Sequence, residues 1–93
     1  MWLGIETSSL VSSLALLEGD TLLGELTMQA GLTHSEQLVP HIELLLDQAQ
    51  VDTSDLTGIV VAIGPGSFTG LRIGMGTAKA MAYALKIPLY GAM

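Results

Sequence analysis

Two segments hold the side chains and backbone groups that could do chemistry. The first is Glu6-Thr7-Ser8-Ser9, which follows directly on an apolar stretch. The second is Gly64-Pro65-Gly66-Ser67-Phe68-Thr69-Gly70-Leu71-Arg72-Ile73-Gly74. A carboxylate near the end of a first strand can position a metal-bound water or a ribose. A glycine-rich turn that leads into a helix leaves backbone amides aimed outward, and such amides hold anions. Together they define a candidate degenerate nucleotide or anion site: Glu6, Thr7, Ser8, Gly64, Gly66, Ser67, Thr69 and Gly70.

Spacing limits what that site can be. A Walker A loop needs a glycine, four residues, then Gly-Lys-Ser/Thr. Counting from Gly64 reaches Thr69, and counting from Gly66 reaches Leu71. The dinucleotide fingerprint G-x-G-x-x-G fails as well, because Gly70 comes one residue late. No lysine stands close enough to meet a phosphate. What remains is a strand-to-helix turn with free amides and two hydroxyls. The competing reading is conformational: the glycines allow positive φ and close backbone approach, and spacing alone leans that way. A lone Glu6 also fits an ordinary surface or hydrogen-bonded acid, and Thr7, Ser8 and Ser9 suit a turn.

Other constellations are weaker. His34 and His41 are seven residues apart, about 10 Å along a helix. One ion with bonds of about 2 Å does not bridge that gap, so His41 reads as a packed or interface residue. No Ser-His-Asp arrangement can be placed together. The chain has no cysteine, which removes disulfides and thiolate ligands and fits a reducing compartment. The net charge of −6 argues against broad binding to a phosphate backbone by this chain alone. The longest uncharged stretch, between Asp55 and Arg72, is too short for a bilayer and is broken by Gly64-Pro65-Gly66. A soluble, cytoplasmic protein without membrane contact is expected.

The elements that must position these residues follow from periodicity. The 93 residues are 49% hydrophobic and only 4% aromatic, so aliphatic side chains fill the core. Trp2 to Thr7 reads as a strand, with Leu3, Ile5 and Thr7 facing one way and Trp2, Gly4 and Glu6 the other. Ser12 to Leu17 and Thr21 to Met28 read as two more strands, joined by the turn Glu18-Gly19-Asp20, so the first three strands form an antiparallel meander. Thr33-His34-Ser35-Glu36 matches a capping box. Leu38, Ile42, Leu45, Leu46 and Ala49 then recur at helical spacing as far as about Gln50, with Pro40 inside the pattern bending its first turns. Asp52 to Thr57 is a polar connection. Gly58 to Ile63 is a continuous apolar run, as for a strand covered on both faces. A second helix runs from about Thr69 to Lys86 and stops before Pro88. Leu89 to Ala92 starts a last strand. The order β-β-β-α-β-α-β predicts a mixed α/β sheet. The end at Met93 leads us to expect that a larger protein continues beyond it.

Charge separates the two helices. Arg72, Lys79 and Lys86, all the basic residues of the chain, lie on the second helix at seven-residue spacing. Glu36, Glu43 and Asp47 line the first. Such stripes can pair within one chain or across a dimer, or stay solvated with each pair contributing well under about 1 kcal/mol. Gly70, Gly74 and Ala78 add a row of small residues that lets a sheet or helix approach closely. Met75 and Met81 suit core or an adaptable contact surface.

Three motifs together carry a family resemblance: Ile5-Glu6-Thr7-Ser8, His34-Ser35-Glu36-Gln37-Leu38-Val39-Pro40, and the run from Gly64 to Gly74. The chain resembles the TsaB (YeaZ) family over essentially its whole length. The wording Ser67-Phe68-Thr69-Gly70-Leu71-Arg72 separates it from the catalytic relative TsaD, and Glu6 stands where the family usually has aspartate. The resemblance implies an actin, sugar-kinase and Hsp70-like (ribonuclease H-like) fold. Residues 1–93 would be its N-terminal lobe, with the second lobe outside this chain. It implies a non-catalytic scaffold subunit for threonylcarbamoylation of adenosine 37 in tRNAs that read codons starting with A. The implied partners are TsaD and the ATPase TsaE. The resemblance also implies a homodimer when the protein is alone, with tRNA met only through the complex. ATP and magnesium are then used by the complex, with no cofactor, metal or catalytic residue assigned to this chain. The expected partner interface is Leu38, His41, Ile42 and Leu45 on the first helix with Arg72, Met75 and Lys79 on the second. The alternative is a nucleotide-binding transferase or hydrolase lobe that uses Glu6 and the Gly64–Gly70 loop.

Overall fold

The computed structural model describes residues 1–7, 11–29, 34–62 and 68–92. Its elements are β1 (Trp2–Glu6), β2 (Val11–Glu18), β3 (Thr21–Gln29), α1 (His34–Gln48), β4 (Gly58–Ala62), α2 (Phe68–Leu85) and β5 (Leu89–Ala92). The expected order is the observed one. The capping box at Thr33 and the turns at residues 8–10 and 63–67 lie outside the described residues.

The strands form one five-stranded sheet in the order β3-β2-β1-β4-β5. β1 pairs antiparallel with β2 and parallel with β4, and β4 pairs parallel with β5. The meander therefore occupies one half of the sheet and the parallel crossovers the other. A register shift between Leu16 and Leu17 interrupts the β2–β3 ladder.

Alternation along β1 is the predicted one: Leu3, Ile5 and Thr7 are buried, and Trp2, Gly4 and Glu6 are not. The core is built on that inner face from Leu3, Ile5, Leu14, Leu16, Ile59 and Val61. Leu38, Ile42, Leu45 and Leu46 of α1 close it with Ala78 and Ala82 of α2. α1 contacts β2, β3 and α2, while α2 packs on β1, β4 and β5.

β4 departs from its expected environment. Gly58, Ile59 and Val61 are buried, but Val60 and Ala62 are only half-buried, so among the described residues helices cover one face of the sheet. The reason lies in the topology. The β3–α1–β4 and β4–α2–β5 connections step across the sheet in the same direction. A common right-handed crossover then places both helices on the same side.

Local caps fix the ends. Asp52 accepts from the amide of Ser54, and Asp55 accepts from the amide of Asp52, which closes a reciprocal capping box on the turn before β4. The amide of Thr57 donates to the carbonyl of Met1 at 2.7 Å and so leads the chain into β4 beside β1. Both helices are followed by a non-glycine residue with positive φ, Gln50 at 57° after α1 and Lys86 at 58° after α2. Thus α2 stops one residue before Lys86, which leaves the helix as its left-handed cap.

Candidate functional site

The described residues of the first motif, Glu6 and Thr7, do not converge on one point. Glu6 and Thr7 are successive strand residues, and their side chains leave opposite faces of the sheet. Thr7 is 1% exposed, packed under α2. Glu6 lies on the open face, where it lines a concavity of about 320 Å³ with Gly4, Ser13, Ala15, Glu25, Val60 and Ala62. The floor of this concavity is made of small residues because Gly4 pairs with Ala15 on one side and Val60 on the other. Ser8, Gly64, Gly66 and Ser67 lie outside the described residues, and Thr69 and Gly70 fall in the first turn of α2. Among the described residues, no three His, Cys, Asp or Glu side chains come together as a metal site. No helix is long and apolar enough to cross a membrane.

The open face also carries aromatic surface. The Trp2 and Tyr90 rings stand 5.4 Å apart at 39°. Trp2 is the register partner of Leu17 and of Gly58. Neither aromatic residue was marked as functional from the sequence.

The expected partner interface divides. Leu38, Ile42 and Leu45 are 2–3% exposed and sit in this chain's own core. The apolar stripe of α1 is therefore spent on the sheet, because an amphipathic helix on a small domain turns that stripe inward. His41 and Met75 are half-buried, and Arg72 and Lys79 are exposed. The outward side of α1 consists instead of Val39, Pro40, Glu43, Leu44, Asp47 and Gln48.

On α2 the outward side holds Arg72, Gly76, Lys79, Ala80 and Tyr83, at helical spacing. Tyr83 is 89% exposed, the most exposed large hydrophobic side chain among the described residues, and Leu44 and Val39 are exposed on α1. Tyr83 was missed in the sequence, although its spacing of four from Lys79 places it on the basic stripe. α1 and α2 lie side by side. The pair thus offers one two-helix surface with acids on one helix, bases on the other and apolar groups on both.

A family model described as TsaD, tRNA N6-adenosine threonylcarbamoyltransferase, matches residues 27–92. The tRNA threonylcarbamoyladenosine biosynthesis protein TsaB of Bacillus subtilis is 41% identical over 87 residues, which cover 94% of this chain and 38% of that protein. The tRNA N6-adenosine threonylcarbamoyltransferase of Tropheryma whipplei is 33% identical over 104 aligned residues, 96% of this chain and 26% of the other. The solved structure of YeaZ from Pseudomonas aeruginosa superposes with a TM-score of 0.90 at 34% identity, covering 98% of this chain and 42% of that one. The chain therefore spans about two-fifths of the length of the TsaB and YeaZ relatives.

Proposed function

The chain belongs to the family described as TsaD, tRNA N6-adenosine threonylcarbamoyltransferase, on its TsaB (YeaZ) side, and from that membership we propose that it is the partner-binding N-terminal lobe of a scaffold subunit in tRNA threonylcarbamoyladenosine biosynthesis. The mixed sheet with two helices has the actin, sugar-kinase and Hsp70-like fold. In this reading the lobe docks a TsaD-type protein and works with a TsaE-type ATPase toward adenosine 37 of tRNA in the cytoplasm. When alone it pairs with a second copy.

The observation that carries the reading is the two-helix surface. Tyr83, Leu44 and Val39 are exposed side chains of the kind that interfaces bury, and they lie among Glu43, Asp47, Arg72 and Lys79. Interface anchors are enriched in tyrosine and arginine, and flanking charges steer the encounter. Two copies related by a twofold axis can set the acidic helix of one against the basic helix of the other.

The enzymatic alternative has less support. Glu6 and Thr7 face opposite sides of the sheet, so the described residues of the first motif do not close on one nucleotide. In the scaffold reading ATP and magnesium are used by the complex.

Light scattering after size exclusion tests the proposal. The chain should run as a dimer alone and as a one-to-one complex when mixed with the TsaD-type protein of the same organism. Threonylcarbamoyl transfer by this protein without that partner would overturn the scaffold reading. So would ATP binding that is lost in Glu6→Ala.

A further inference from the structure

The glycine that ends the Gly64–Gly74 motif is the seventh residue of α2, in the helix interior, where glycine costs about 1 kcal/mol against alanine. Its environment accounts for it. Gly74 is buried against the sheet, and a Cβ there would collide with Oγ1 of Thr7. The same Cβ would stand 3.5 Å from Cβ of Thr7 and 3.6 Å from Cγ2 of Val61. Both neighbours are closely packed. Thr7 and Val61 are each 1% exposed, and Thr7 makes a polar interaction of its own. One turn further on the same inner side, Ala78 carries its methyl group in a fully buried position. At Gly74 the helix lies too close to Thr7 for a side chain, while at Ala78 it admits a methyl group. By contrast, a Cβ on Gly76 would meet nothing within 4 Å.

We infer that the Thr7–Gly74 contact is a positioning device that joins the first motif to the third: it sets the depth of α2 on β1 and β4, and thereby where Arg72, Lys79 and Tyr83 stand. The link to partner binding rests on the two-helix reading above, whereas the seating of α2 does not.

The test compares the native chain with Gly74→Ala, Gly76→Ala, Thr7→Ala and the double variant Gly74→Ala/Thr7→Ala. Amide NMR shifts report the seat of α2, and titration with the TsaD-type protein reports its outer face. Gly74→Ala should move amides along α2 from Ile73 to Ala80 and weaken partner binding by about tenfold or more. Gly76→Ala should move only its neighbours. The double variant should return the α2 amides toward their native positions and bring affinity to within roughly threefold of native, even though Thr7→Ala alone lowers the melting temperature. That split separates positioning from stability. If Gly74→Ala does not fold, a folded double variant still supports the contact. A Gly74→Ala chain with α2 in place, or a double variant that stays displaced or unfolded, overturns the inference. A native chain that binds no partner overturns the proposed function, and the NMR comparison still decides the seating.

Discussion

The indole of Trp2 lies across Gly58, its register partner on β4, so closely that a Cβ at position 58 would fall among its ring atoms. The ring then reaches Tyr90 of β5. Glycine at the start of β4 is what lets one aromatic side chain span the parallel half of the sheet.

Gly58→Val should therefore destabilise the chain by about 1–3 kcal/mol, the usual result of overpacking a filled contact. Urea unfolding followed by tryptophan fluorescence reads it directly, because Trp2 is the single tryptophan. An unchanged midpoint would mean that the indole moves aside freely.

Leu16 and Leu44 set the contrast between core and surface. Leu16 is fully buried and Leu44 is 41% exposed. Leu16→Ala should cost about 2–5 kcal/mol, and Leu44→Ala within about 0.5 kcal/mol. Chemical denaturation of the two variants checks the assignment of inner and outer faces.

Tyr83→Ala should leave stability within about 0.5 kcal/mol of native, since its ring is almost wholly exposed. Binding to the TsaD-type partner should weaken by about tenfold or more if the ring is an anchor. A titration with unchanged affinity would move the interface away from this end of α2.

Gln50 caps α1 at a φ of 57°, with its amide donating to the carbonyl of Asp47 and that of Val51 to Leu46. A left-handed cap favours glycine. Gln50→Gly should raise stability by up to about 1 kcal/mol, or up to about 8 °C in melting temperature for a domain of this size. Calorimetry showing a lower melting point would mean that the glutamine side chain makes up for its strained backbone.

The candidate site was legible only in part. Glu6, Thr7 and the Gly64–Gly74 run were singled out by type and order, because carboxylates, hydroxyls and clustered glycines are visible letter by letter. Their roles were not. Successive strand residues diverge, and the same alternation that predicted Leu3, Ile5 and Thr7 on one face already sets Glu6 apart from Thr7. The stripe Leu38, Ile42, Leu45 was recognised as apolar, but a stripe reads the same whether a sheet or a partner covers it.

By itself the sequence determined the succession of elements, the antiparallel meander, the inner and outer faces of β1 and the helical registers. These depend on local periods of two and 3.6 residues. Only the tertiary structure decided that both helices share one face of the sheet, that α1 spends its apolar stripe at home, and that Gly74 meets Thr7. Those outcomes depend on crossover handedness and on close approach between segments far apart in the chain, and no local period encodes either.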